Sequence, residues 1–210
     1  MKIGVLALQG DFREHILAIQ RLGAEAVAIR LPRHLAGVDG LILPGGESTV
    51  MGKLMVEDGL VEPLRDTIAQ GLPTWGTCAG LILLARETDN ALAGQPLLAA
   101  MAIHVCRNAF GSQRESFTTA VDVPVLGPEP VRAVFIRAPV VVSTGPDVTI
   151  LARLADEHGS IVAVRQGTLL GTAFHPEMTG DTRFHEYFLG IVRGEGVAQT
   201  PSLSDNHTRP

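Results

Sequence analysis

Short apolar runs that end in glycine-rich turns alternate with stretches of helical periodicity, and no other feature of this chain constrains its fold as strongly. Residues 2–8 (KIGVLAL) form a near-continuous apolar run, the pattern of a strand covered on both faces. Phe12, Ile16, Ile19 and Leu22 then recur at helical spacing over 12–22, and Gly23 supplies a stop. The pattern predicts strands at 25–30, 39–43 and 73–77, and helices at about 49–57, 60–70 and 79–86. Strand and helix in strict alternation imply a mostly parallel sheet with helices on both faces.

The pattern changes between about 99 and 173. β-Branched runs at 118–123, 131–136, 148–151, 161–165 and 168–174 are separated by turn residues with little helical periodicity. They predict an antiparallel or mixed extension of the same sheet. A last helix is predicted at 181–193, with Phe184, Phe188 and Ile191 on one face. Glu195 to Pro210 is polar and Pro-containing and reads as a disordered tail. The expected architecture is α/β: a single-domain three-layer sandwich over residues 1–194, its central sheet mostly parallel with an antiparallel extension. A chain of 210 residues fits one such domain.

Composition narrows the function. With 46% hydrophobic and 19% charged residues the chain is globular. A net charge of −5 argues against nucleic acid as a partner, since a nucleic-acid-binding domain normally carries a basic stripe. Two cysteines cannot staple a fold of this size, and they lack the CxxC spacing of a zinc or thioredoxin site. No metal is expected. The N-terminus turns polar by Gln9 and Asp11, too early for a secretory signal, and no apolar run approaches the roughly 20 residues of a membrane helix. A cytoplasmic protein is the expectation.

The chemistry concentrates at Gly76-Thr77-Cys78-Ala79-Gly80, between a predicted strand and helix. This is a G-x-nucleophile-x-G elbow with cysteine as nucleophile. The sharp turn exposes the side chain, and small residues two positions either side let neighbouring elements pack close. The helix that follows places N–H groups and a positive dipole end beside the sulfur, which favours the thiolate. The N–H of Ala79 would face a developing oxyanion. A buried cysteine that merely packs is the competing reading, which the flanking glycines and the strand-to-helix setting disfavour.

A cysteine nucleophile needs a base. Among 7 histidines, His175 follows a predicted strand in Phe174-His175-Pro176-Glu177. Pro176 biases His175 to an extended backbone, where i and i+2 point the same way, so Glu177 can orient the imidazole. Alone, His-Pro-Glu reads as a surface turn; beside a cysteine elbow it completes a triad. A third segment, Pro44-Gly45-Gly46-Glu47-Ser48-Thr49, ends a predicted strand. Its glycines allow a close backbone approach to a ligand and could provide a second oxyanion donor, with Ser48 or Thr49 capping the next helix. It lacks the ending of a phosphate-binding P-loop, and Gly4 to Gly10 lacks the dinucleotide-binding spacing.

These segments, with Gly4-Val5-Leu6-Ala7-Leu8-Gln9-Gly10-Asp11, Arg107-Asn108-Ala109-Phe110-Gly111-Ser112-Gln113 and Phe135-Ile136-Arg137-Ala138-Pro139, resemble the class I glutamine amidotransferases. More narrowly, the chain resembles the glutaminase subunits of pyridoxal 5′-phosphate synthases, over about residues 2–193. The resemblance implies a flavodoxin-like amidotransferase fold. It implies Cys78 as nucleophile toward the glutamine side-chain amide, His175 as base and then acid, and Glu177 as its orienting group. Gly46 and Ala79 would supply the oxyanion N–H groups. Gly46, Glu47, Ser48, Arg107, Ile136 and Arg137 would line the glutamine site, an arginine fork being suited to a carboxylate. Gln9 and Gly10 would lie at the contact with a separate synthase chain, whose docking would complete the oxyanion hole. No organic cofactor is implied; the vitamin is the product of the complex.

Ala102 stands where that family often has a polar residue, and His104 and Cys106 share a strand face. A half-buried strand accounts for them better than a second Cys–His pair, since Cys106 has no elbow. Other readings are a glutaminase of another pathway, a non-catalytic regulatory subunit on the same fold, and a cysteine hydrolase or chaperone-like relative. The Arg107 and Ile136 segments speak against the first. The full set Cys78, His175 and Glu177 speaks against the second, and glutamine turnover would separate the third.

Overall fold

The computed structural model describes residues 1–89, 94–107, 109 and 116–195. Asn108, Phe110 to Gln113 and the predicted tail beyond Glu195 lie outside the described residues. Strands β1 (Lys2–Leu6), β2 (Glu25–Ile29), β3 (Gly40–Leu43) and β4 (Thr74–Thr77) alternate with helices α1 (Phe12–Arg21), α2 (Ser48–Glu57) and α3 (Val61–Ala69). Helix α4 (Ala79–Leu84) leads straight into β5 (Ala85–Asp89). Then come β6 (Met101–Cys106), β7 (Ser116–Val121), β8 (Val131–Ile136), β9 (Val140–Thr144), β10 (Thr149–Arg153), β11 (Ile161–Gln166), β12 (Leu169–Thr172) and helix α5 (Arg183–Val192).

The main sheet runs β2-β1-β3-β4-β12-β11-β9-β6-β5, with β10 also paired to β11. From β2 to β12 every pairing is parallel, and the β12-β11, β11-β9 and β9-β6 pairings are antiparallel. This is the mostly parallel sheet with an antiparallel extension that the sequence predicts. β3 and β4 are buried at every position, as strands with both faces covered must be. Trp75 of β4 packs against Phe184 and Phe188 of α5, with ring centroids 6.2 and 5.8 Å away.

The structure departs from the sequence pattern in several places; β9 (Val140–Thr144), for one, lies in none of the predicted runs. The runs at 118–123 and 131–136 do not extend the main sheet; β7 and β8 form a separate two-stranded hairpin sheet. Phe117 and Phe135 stack across it at 4.7 Å, and Phe135 seats the hairpin on Phe174 at 5.5 Å. The hairpin therefore buries its apolar face on the main sheet rather than hydrogen-bonding to its edge. The predicted helix at 79–86 stops at Leu84, because Ala85 turns to extended backbone and pairs with Met101.

Among the described residues no helix is long and apolar enough to cross a membrane.

Candidate active site

Two adjacent parallel strands aim the chemistry. Leu169 pairs with Thr74 and Thr172 with Thr77, so β4 and β12 end side by side. Cys78 follows the first and His175 the second. Open α/β sheets bind ligands at these carboxyl ends. The Cys78 N–H donates to Thr172 O at 2.8 Å, and the His175 N–H donates to Val134 O at 2.9 Å. The second bond ties the β7-β8 hairpin to the site.

Cys78 sits at φ 47°, in the left-handed region that non-glycine residues rarely adopt. The strain belongs to the elbow, and the glycines around it are required by contact. A side chain on Gly76 would meet the backbone of Gly80, and one on Gly80 would meet the backbone of Leu43. The two glycines let α4 start directly against β3 and β4. Ala79 is the first residue of that helix.

The His175 ring is 3% exposed and Glu177 is fully buried; Nδ1 of His175 lies 2.8 Å from Glu177 Oε1. Cys78 lines the same cavity as this ring. Asp11 adds a second carboxylate, its Oδ2 3.3 Å from His175 Nδ1. Burial alone would lower the His175 pKa; the Asp11 carboxylate, the Cys78 sulfur and the Glu177 carboxylate, which favour the charged ring, outweigh it and raise it to about 12. Burial pushes Glu177 upward, against the pull of His175. The 2.8 Å contact suits an Nδ1–H of His175 that donates to Glu177 Oε1.

Asp11, His175 and Glu177 are of metal-ligating types with donor atoms within 4.8 Å of one another. The distances match carboxylates that grip an imidazole N–H, and His175 Nδ1 is already engaged by both.

The glycine loop closes the other side. Gly45 packs on the His175 ring so tightly that any side chain there would overlap it. Gly46 has φ 151° and Gly10 packs against the Gly45 carbonyl. Glu47, rather than Ser48 or Thr49, caps α2: its carboxylate accepts the Thr49 N–H at 3.1 Å and the Val50 N–H at 2.8 Å. Burial pushes the Glu47 pKa up, but these bonds, the Thr49 hydroxyl and Arg107 bring it below the usual carboxylate value. Ser48 is the first helical residue and is buried. The Arg107 guanidinium donates to Glu47 Oε1 at 3.2 Å, Thr49 Oγ1 at 3.3 Å and Gln95 Oε1 at 2.9 Å.

These groups enclose a cavity of about 320 Å³, large enough for an amino acid. Every residue predicted for the site lines it except Gly10 and Glu177, which stand behind Gly45 and His175. Ile136 and Arg137 enter from the end of β8. Arg137 has φ 41°, and the Ile136 carbonyl is 3.9 Å from the Cys78 sulfur. Sequence reasoning missed Asp11 as a partner of His175, and Gln95 and Thr49 as partners of Arg107. His104 and Cys106 lie outside the cavity, with His104 paired to Asp89 at 2.9 Å.

The chain matches the SNO glutamine amidotransferase family over residues 5–193. The pyridoxal 5′-phosphate synthase subunit PdxT of Leifsonia xyli subsp. xyli is 58% identical over 92% of this chain and 96% of its own length. The protein of the same description from a Roseiflexus species is 56% identical over 91% of this chain and 100% of its own. A crystal structure of a glutamine amidotransferase superposes with a TM-score of 0.84 at 48% identity, covering 91% of this chain and 98% of that one. A glutamine amidotransferase from Thermotoga maritima, 14% identical with a TM-score of 0.58 over 92% of this chain and 84% of that one, shares the fold. The cysteine elbow and its histidine thus stand in a known setting: the chain belongs to the SNO glutamine amidotransferase family.

Proposed function

We propose that this chain hydrolyses L-glutamine to L-glutamate and ammonia, and that the ammonia passes to a separate synthase chain that builds pyridoxal 5′-phosphate. One observation carries the reading: a cysteine on a strained elbow lines the same cavity as a buried histidine, whose Nδ1 is held by Glu177 at 2.8 Å. Cys78 is the nucleophile. Its sulfur attacks the side-chain amide carbon after His175 takes the thiol proton. The oxyanion is met by the Gly46 and Ala79 N–H groups. His175 then gives its proton to the departing nitrogen, and ammonia leaves a γ-glutamyl thioester. Water, activated by His175, cleaves the thioester and releases glutamate.

Glu47, Ser48, Arg107, Ile136 and Arg137 hold the amino-acid end of glutamine, with the Arg107 fork toward its carboxylate. Residues 1–194 form the glutaminase unit, and 195–210 carry no catalytic residue. Gln9 and Gly10 face the synthase, within a larger heteromeric complex. A cytoplasmic setting keeps Cys78 reduced.

Ammonia release from L-glutamine, with and without the cognate synthase chain, tests this for wild type and Cys78→Ala. Release that rises with the synthase and vanishes in the variant is expected. Release that needs no synthase keeps the glutaminase and removes the gating. No release from folded, synthase-bound protein overturns the reading in favour of a non-catalytic subunit.

A further inference from the structure

Beyond Glu177 lies a pair of buried histidines that the proposed chemistry does not use. His15 of α1 is fully buried and His185 of α5 is 1% exposed. His15 Nδ1 is 3.0 Å from His185 Nε2. On its other side, His15 Nε2 is 3.3 Å from Thr77 Oγ1 and 3.4 Å from Glu177 Oε2. That carboxylate oxygen is buried and makes no hydrogen bond among the described residues, so His15 Nε2 is a donor within reach of an oxygen that lacks one. Trp75 meets both rings edge-on, at 5.4 and 4.9 Å, and leaves them little room to turn.

The protons in this pair can be placed by elimination. His185 Nδ1 is buried with no partner among the described residues. A buried N–H without an acceptor is rarer than a buried lone pair without a donor. His185 therefore carries its proton on Nε2 and donates it to His15 Nδ1. A neutral His15 that accepts at Nδ1 must carry its own proton on Nε2, which faces Glu177 and Thr77. Both rings are held neutral. Burial, then His185 and His175, push His15 well below its ordinary value, and burial brings His185 to about 4 against the pull of Asp181.

We propose that His15 is a positioning residue for the triad: its Nε2–H, fixed in that tautomer by His185, holds the second oxygen of Glu177 and keeps the carboxylate turned toward His175. The proposal rests on the reading of Cys78, His175 and Glu177 as a glutaminase triad. It makes Glu177 a bridge between two imidazoles, with Oε1 to His175 and Oε2 to His15. Without the His15 donor a fully buried carboxylate keeps one oxygen unpaired, its charged form is less stable, and the imidazolium of His175 loses support. The other groups that bear on this pair are Asp11, which touches His175 Nδ1, and Cys78, which supports the charged His175 ring.

The test compares wild type, His15→Phe and His15→Gln, with the cognate synthase present for ammonia release and with ¹⁵N-labelled histidine for NMR. Phenylalanine keeps the ring shape without the donor; glutamine offers an N–H near the position of Nε2. His15→Phe is expected to lower kcat about ten- to hundredfold, with KM for glutamine changed less than about twofold. His175 should lose its imidazolium proton at a lower pH than in wild type. His15→Gln should recover most of both. Equal losses in the two variants with an unchanged His175 titration would reduce His15 to packing and overturn the proposal, as would a wild-type rate in His15→Phe. In the wild-type chain the ring nitrogens of His15 should report a proton on Nε2 at neutral pH. A proton on Nδ1 overturns the proposal however the variants fold. If wild type itself releases no ammonia, the glutaminase reading fails, while the His15 tautomer and the His175 titration still decide this one.

Discussion

Gln9 and Glu47 are joined across the mouth of the cavity: Gln9 Oε1 accepts the Glu47 backbone N–H at 2.8 Å. Two residues on, the Asp11 N–H donates to the Gly45 carbonyl at 3.2 Å. The loop after β1 therefore fixes both peptides that flank Gly46, and with them the direction of the Gly46 N–H.

Substitution Gln9→Ala should uncouple this loop from its partner. The Glu47 N–H would lose its acceptor, and the Gly46 peptide would no longer be aimed by residues 9–11. A misplaced oxyanion donor costs about a hundredfold or more in rate. Synthase-stimulated ammonia release should fall by at least about tenfold, with thermal stability near wild type. Stimulation that survives the substitution would separate Gln9 from the gating.

Arg107 is held by Glu47, Thr49 and Gln95, so its fork is oriented before any ligand arrives. Arg107→Ala should raise KM for glutamine by about ten- to hundredfold, the effect of losing a charge-assisted pair, and lower kcat much less. Steady-state kinetics with the synthase present would measure both. A fall in kcat at constant KM would move Arg107 from substrate binding to the chemical step.

Gly45 and Gly80 should respond to a side chain in opposite ways. A methyl group on Gly45 would overlap the His175 ring, which can shift only by leaving Glu177. Gly45→Ala should cost about a hundredfold in kcat, as a misplaced base does, while the protein stays folded. A methyl group on Gly80 would instead meet the Leu43 backbone, which belongs to a central strand and cannot give. Gly80→Ala should cost about 3 kcal/mol of stability, at the upper end of overpacking. Denaturant unfolding and ammonia release on both variants would check the contrast.

What the sequence made legible was local. Cys78 between two glycines, and His175 two residues from Glu177, each carry their signal within a few positions, and both Cys78 and His175 stand in the cavity. The parallel half of the sheet was equally readable, because each strand and helix there keeps one period. Asp11, His15 and His185 were not readable as a group: His15 and His185 are 170 residues apart and meet only because β1, β3, β4 and β12 lie side by side. A lone buried histidine has no periodic signature. The same limit applies to the β7-β8 hairpin, since alternation identifies a strand without naming the sheet it joins.

Stability should peak near about pH 6.5, because the buried histidines pull in opposite directions. His185 has its pKa depressed to about 4 by burial, and His15 is lowered as well. The unfolded chain binds these protons below about pH 6.5 and the folded chain does not, so their neutral burial stabilises the fold above that pH and the benefit is lost on acidification toward about pH 4. For His185 alone the loss is on the order of 3 kcal/mol. His175 has the opposite sign. Its pKa is raised to about 12, so its contribution is complete below about pH 6.5 and declines as pH rises toward 12. Thermal unfolding from about pH 4 to about pH 9 should therefore trace a dome. His185→Phe, which removes the depressed group from a site already walled by Trp75, should flatten the acid side and leave the alkaline side unchanged. An acid limb that is identical in wild type and His185→Phe would assign the acid sensitivity to other groups.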